Sequence, residues 1–513
     1  MPPNGRKTSA MSGSNDALDQ LKMTFAEIGA INNAMAVLGW DQNTYMPPGG
    51  SAGRAEDLAV LAKLAHERLT SRRTGDLLKA AQDHAAGLDP ASDDASLVRV
   101  AQRDYDREVK VPDSLVVEIA RTSVLAESVW REARRRNDYL AFAPWIEKTV
   151  DLNRRLCEHV GYPEQPFDAL VDYTEPGMTT NVVRAVFDEL RPRLVDIVGK
   201  ITPQADSVDD AVLHRHYDEA TQERIGREVV ARFGYDFNRG RLDRTTHPFE
   251  TAFNRDDVRI TTRYDSQFLN MALMGTMHEA GHGMYEQGIS PALAQTPLTG
   301  GVSSGMHESQ SRLWENFVGR GMPFWRFFYP TLQAAFPNSL DDVEMPHFYR
   351  AINKVCPSLI RVEADEVTYC LHIMFRFELE IALLDGKLAV KDAPAAWNEK
   401  VREYLGITPP NDTEGILQDI HWTSGLGGFQ GYALGNIIAA QLWEAAHQAH
   451  PDLTQQFERG EFGTLLRWLN TNIHQHGRKF IPADLLQRAT GSALSPQPYL
   501  RYLHRKYGEI YSL

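Results

Sequence analysis

From about residue 15 onward, apolar residues recur at spacings of three and four, as in "LDQLKMTFAEIGAINNAMAVLGW" (18–40), "DSLVVEIARTSVLAESVWREARRRNDYLAFAPWIEKTVDLNRRL" (113–156) and "DEVTYCLHIMFRFELEIALLDG" (365–386). That period places one apolar stripe along a helix, so amphipathic helices are predicted for most of the chain. Breakers punctuate them at "MPPGG" (46–50), "YTEPGMTT" (173–180) and "GITPPNDTEG" (406–415). One stretch departs from the helical period: "VRITTRY" (258–264) alternates at period two after the turn signal "NRDD" (254–257). A small β-sheet is therefore predicted within 244–265, just ahead of the next apolar helix. The chain shows no internal repeat, low-complexity block or long linker, so residues 15–513 read as one large, mainly α, two-lobed helical body. Residues 1–14 are rich in Pro, Gly, Ser and Asn and read as a disordered tail or a non-native extension, with Met11 as an alternative start.

Charge narrows the partners. With 68 acidic and 54 basic residues the formal net charge is −14, and the one basic run is "REARRR" (131–136). Long-range repulsion then argues against nucleic acid or an anionic membrane surface. Cys157, Cys356 and Cys370 form no C-x-x-C pair and read as reduced thiols. No apolar run approaches a bilayer span and the N-terminus lacks a secretory apolar region, so a cytoplasmic location is expected.

The candidate chemistry lies in "MALMGTMHEAGHGMYEQG" (271–288). On a helix, His278 and His282 stand one above the other and can share one metal ion, with Glu279 beside it. The alternative is a pair of satisfied core histidines in a chance H-E-x-x-H. A catalytic zinc needs a third protein ligand and leaves a fourth position for water. The extended zincin pattern fails, because Tyr285 and Gly288 occupy its Gly and last His positions. Glu286 is too far along the helix, since eight residues rise about 12 Å. Glu308 follows the loop "TGGVSSGM" and stands 26 residues after His282 at the start of another helix. It completes a two-His, one-Glu set, although an acid in a first helical turn is also favoured by the helix dipole. Glu315 is the reserve candidate, and His307 is within reach. A metal held this way brings its water's pKa towards neutrality, with Glu279 as general base, so amide hydrolysis is the expected reaction class.

Seven segments in order, "WDQNTYMPPGG" (40–50), "HPF" (247–249), "DVRIT" (257–261), "HEAGH" (278–282), "HESQ" (307–310), "IRVEAD" (360–365) and "GILQDIHW" (415–422), resemble the carboxypeptidase Taq family of thermostable metallocarboxypeptidases. The resemblance implies a saddle-like helical fold with a long active-site groove, a homodimer, and stepwise release of single C-terminal amino acids with broad specificity. It also implies Glu308 as third ligand.

An exopeptidase must recognise the terminal carboxylate, for which the planar Arg fork is suited. By resemblance Arg361 takes that role and Arg259 either supports it from behind or lines the groove; from the residues alone, the reading that comes first for Arg361 is a helical i,i+4 pair with Asp365. In "LQDIHWTSGLGGFQGYALGN" (417–436), His421 and Tyr432 are candidate donors to the developing oxyanion, with satisfied core groups as the alternative. Gln418 in the same segment and His247 of "HPF" are assigned to the substrate groove. Gly425, Gly427 and Gly428 lack the spacing of a dinucleotide fingerprint and suggest a flexible wall. "WRFFY" (325–329) reads as core. The expected cofactor is one divalent ion per chain, zinc first and cobalt second, and the expected partners are peptides with a free C-terminus. One rival is a metallo-oligopeptidase cutting internal bonds. A peptide-binding protein with a structural zinc is the other, disfavoured because no cysteine lies near 278–308.

Overall fold

A computed structural model describes residues 7–513, which are mainly helical with one three-stranded sheet. The segments with three-and-four spacing are helices: Lys7–Thr44, then Asp113–Arg136 with Tyr139–Val160, then Tyr369–Leu384. Between the second pair, Asn137 at φ 55° closes one helix, and the Asp138 carboxylate accepts from the Ala141 N–H at 3.1 Å to open the next. Each expected breaker interrupts a helix; at the third, Gly406 takes φ 72° and ends Ala393–Leu405.

Three local expectations change. Of the tail expected over 1–14, residues 1–6 lie outside the described residues, while 7–14 begin the first helix. A helix already nucleated by the following segment extends into them at little cost. The helix expected from Asp365 starts at Tyr369, because the Asp365 carboxylate gathers the N–H groups of Cys356, Val367 and Thr368 into a turn. The sheet contains an additional strand. β1 (Gly240–Arg244) precedes β2 (Glu250–Asn254) and β3 (Asp257–Thr262), in the order β1-β3-β2. β3 runs antiparallel to β2 across the "NRDD" turn and parallel to β1, with Gly240 opposite Val258. "GRLDR" has only Leu242 as an apolar residue, so no alternation marks it as a strand.

The apolar interior falls into two principal clusters. A smaller one joins Leu18, Leu21, Leu78 and Leu97 of the N-terminal helices to Ile289, Leu293 and Leu298. The larger one runs from Ala126 to Tyr511 and includes Trp325, Phe328 and Tyr329 of the "WRFFY" segment. Ile260 of β3 belongs to that core and lies against Gly283 of the helix Leu269–Gly288. The sheet thereby braces the helix that carries both histidines.

Candidate metal centre

Two glycines set the depth of the site. A Cβ at Gly281, on the helix Leu269–Gly288, would stand 2.5 Å from Ser311 Cα, so only glycine lets this helix press against Ser304–Arg312. Gly435, on Gln430–Ala449, meets the same short helix from another side, where a Cβ would overlap Glu308. The Ser303 hydroxyl accepts from the Met306 N–H at 3.1 Å and starts the Glu308 helix. Its continuation, Leu313–Gly319, is a π-helical segment carrying Glu315.

This packing brings His278, His282 and Glu308 together, each offering one ligand atom and all three atoms lying within 4.8 Å of one another. His278 Nε2 is 3.7 Å and His282 Nε2 3.4 Å from Glu308 Oε2. Two imidazoles and a carboxylate converging in this way fit the donor set of a catalytic divalent ion. The nitrogens facing away are held as well. His278 Nδ1 lies 2.9 Å from Glu315 Oε2, and His282 Nδ1 lies 2.6 Å from His307 Nδ1. His307 Nε2 in turn sits 3.1 Å from Glu286 Oε1. Such outer partners fix the tautomer and ring angle of metal-binding histidines. Glu315 and His307, the two reserve candidates, thus lie behind the histidines and outside the convergent set.

Electrostatics divides the carboxylates. Against burial, which disfavours the charge, Arg312 and the two imidazoles hold the Glu308 carboxyl well below the usual range. Glu315 is likewise held at about 2, burial being outweighed by Arg312 and His278. Glu279 moves the other way: burial pushes it up to about 7. No hydrogen bond among the described residues occupies its carboxylate.

A second group forms around Arg361. Its Nε donates to Asp419 Oδ1 at 3.1 Å, its Nη1 to the Tyr369 hydroxyl at 3.4 Å, and its backbone N–H to Gln418 Oε1 at 3.0 Å. The expected pairing with Asp365 is absent, because Arg361–Glu363 is a single 3-10 turn and Asp365 is spent on backbone N–H groups. Tyr432 places its ring centroid 5.3 Å from the Arg361 guanidinium, and its hydroxyl is 3.4 Å from His421 Nε2. Burial, followed by the charge of Arg361, pushes His421 down to about 4, so its imidazole is neutral.

The remaining candidates separate. His247, between β1 and β2, is lowered by burial and then by the charges of Arg263, Arg134, Arg131 and Arg361. Gln418 does not present its amide to the groove. Its Oε1 accepts from Arg361 N and Arg376 Nη2, while its Nε2 donates to Leu359, Glu414 and Gly415 carbonyls. Arg259 is also committed elsewhere, in a two-point pair with Asp257 at 2.9 and 3.0 Å between the rings of Trp40 and Phe253. No hydrogen bond or ion pair among the described residues joins it to Arg361 or the histidines.

Sequence reading passed over Arg312, Tyr369, Arg376 and Asp419. Arg312 Nε donates to Glu308 Oε1 at 2.7 Å, and its guanidinium lies 4.1 Å from the Tyr369 ring centroid. Tyr369 thus stands between Arg312 and Arg361. Asp419 receives both Arg361 and the fully buried Arg376. The i,i+4 spacing of Glu308 and Arg312 was a readable signal; the Arg376–Asp419 pair spans 43 residues and left none.

A fold of this kind with a convergent His, His, Glu set defines a metal-dependent hydrolase. Residues 20–507 match the family profile "Carboxypeptidase Taq (M32) metallopeptidase". The chain is 43% identical over 486 residues to thermostable carboxypeptidase 1 of Thermus thermophilus, covering 93% of this chain and 95% of that protein. Against carboxypeptidase 1 of Bacillus subtilis it is 39% identical, covering 95% and 97%. The crystal structure of the M32 carboxypeptidase from Deinococcus radiodurans superposes with a TM-score of 0.94 at 42% identity, over 97% of this chain and 100% of that one. The chain belongs to the carboxypeptidase Taq (M32) family, and it is a metallocarboxypeptidase that hydrolyses peptides with a divalent metal. Among the described residues, no helix is long and apolar enough to cross a membrane.

Proposed function

We propose that this enzyme removes single amino acids from peptide C-termini with broad tolerance of the side chain. His278, His282 and Glu308 would hold one ion, zinc first and cobalt as the alternative, since both suit imidazole and carboxylate ligands. The observation that carries the reading is the convergence of those three ligand atoms within 4.8 Å beside the unengaged Glu279 carboxylate.

Held by these residues, a divalent ion would supply Lewis-acid polarisation of the scissile carbonyl and acidify the attacking water. Glu279 takes the proton of that water and returns it to the leaving amine nitrogen, a task suited to a carboxylate pushed up to about 7 by burial. His421 Nε2 and the Tyr432 hydroxyl, 3.4 Å apart, donate to the carbonyl oxygen as negative charge grows on it. Arg361, braced by Asp419 and Tyr369, receives the terminal carboxylate. His247 lines the groove from the sheet side. Arg259 contributes to the groove wall through the Trp40 stack. Gln418 contributes indirectly, by fixing the Arg361 backbone. Family resemblance favours a homodimer. Buried free thiols, with Cys157 and Cys370 pushed up to about 12 by burial, accord with a reducing cytoplasm.

The test is a mass-spectrometric time course on a peptide and its C-terminally amidated twin, with and without chelator. The expected result is a ladder of single-residue losses from the free C-terminus alone, abolished by chelator and restored by zinc or cobalt. Internal cuts in both peptides would replace this reading with an oligopeptidase.

A further inference from the structure

Behind His421 lies a cavity of about 250 Å³ that the reaction as described does not use. Its walls come from Asp113–Arg136, Tyr139–Val160 and the loop 423–428, with Ile119, Leu152, Leu156, Leu170 and Leu426 forming an apolar sleeve. Gly427 closes it at φ +84°, where a Cβ would stand 2.5 Å from Leu170 Cβ. Among the polar side chains that also line the cavity are Thr149, Glu380 and His421.

These groups are short of partners. Glu380 is 1% exposed, and its only hydrogen bond among the described residues is from the Gly427 N–H to Oε2 at 3.1 Å, with none to Oε1. Thr149 Oγ1 and His421 Nδ1 are buried with no partner. The charged group nearest His421 Nδ1 is the Asp419 carboxylate, whose Oδ1 is 3.8 Å away. A buried carboxylate oxygen and a hydroxyl call for a ligand that brings N–H donors, because buried acceptors left unpaired are costly. An apolar sleeve leading to such acceptors suits a methylene stem with a cationic head.

We infer that this cavity receives the side chain of a C-terminal arginine or lysine, with Glu380 pairing its charged head and Thr149 accepting a further N–H group. The inference rests on the assignment of Arg361 as carboxylate receptor, and the two sites are linked by contact: His421 lines the cavity and meets the Tyr432 hydroxyl, and the Tyr432 ring faces Arg361. Within a broad specificity, basic C-terminal residues are then the fastest released. Burial pushes Glu380 up to about 8 against the opposing charge of Arg376, and a guanidinium entering the cavity would release its proton to solvent.

The experiment compares kcat/KM for four peptides differing only in a C-terminal arginine, lysine, citrulline or leucine, using the metal-loaded enzyme and its Glu380→Gln and Thr149→Val variants. Citrulline keeps the shape of arginine and lacks its charge. Wild type is expected to favour arginine over citrulline by at least about tenfold. Glu380→Gln should erase that ratio while leaving leucine release within about twofold, and Thr149→Val should lower arginine and lysine selectively. Equal rates for arginine and citrulline in wild type would overturn the proposal. An equal loss on all four peptides in Glu380→Gln would overturn it too, by showing that Glu380 only tethers Gly427. Should that variant not fold, the wild-type ratio and Thr149→Val decide. An amidated arginine peptide serves as control: its cleavage would refute the Arg361 assignment, whereas its resistance combined with equal arginine and citrulline rates refutes only the cavity.

Discussion

Glu308 turns Oε2 towards His278 and His282 and Oε1 towards Arg312, whose Nε lies 2.7 Å away. One carboxylate therefore both joins the proposed ligand set and neutralises a buried cation. Glu308→Gln is expected to abolish tight metal binding and to leave Arg312 with Glu315 alone. The resulting loss of stability should be about 2–4 kcal/mol, read by denaturant unfolding of the metal-free proteins so that ion binding does not contribute.

His307 is placed to orient His282 from outside the convergent ligand set, through the 2.6 Å contact between their Nδ1 atoms. His307→Ala should weaken metal affinity by about tenfold to a hundredfold, measured by competition with a chromogenic chelator. His307→Asn, which can still accept from His282, should recover part of that loss. Equal affinity in all three proteins would deny His307 this role.

Arg361 should govern the discrimination between free and blocked C-termini. Arg361→Ala is expected to raise KM and to lower kcat/KM on free peptides by about a hundredfold, bringing them close to their amidated twins. A selectivity unchanged by the substitution would move the carboxylate receptor to Arg259 or elsewhere.

Buried neutral histidines make the protein acid-sensitive. His474, with no exposed surface, is pushed down to about 3 by burial and then by His307, and burial with Arg376 lowers His372 as well. In the unfolded chain both protonate near the ordinary value of 6.5. Between that value and about 3 the unfolded state holds more protons, so stability falls as pH falls through this window. His474→Gln, which keeps a donor for Gln310, should flatten the acid limb of a plot of unfolding midpoint against pH.

The sequence allowed the helices to be read wherever an apolar stripe persisted, and the histidine pair because its partners are four residues apart on one element. Glu308 was the preferred third ligand from spacing, with Glu315 in reserve; the approach of three helices at Gly281 and Gly435 is what brings its carboxylate to the two histidines. Gln418 shows the opposite case. Its polarity suggested a groove residue, yet all its hydrogen bonds are internal, and no local pattern distinguishes an amide facing substrate from one facing Arg361 and Arg376. β1 was missed for a related reason, since its pairing with β3 is set by a distant segment and not by its own composition.

The central claim is that Glu279 acts as the base beside an ion held by His278, His282 and Glu308. Glu279→Gln separates these roles when metal content by elemental analysis is measured alongside peptide turnover on the same preparation. The expected result is one ion per chain at wild-type affinity, with turnover reduced by about a hundredfold to ten-thousandfold. Turnover at the wild-type rate, or loss of the ion itself, would contradict the assignment.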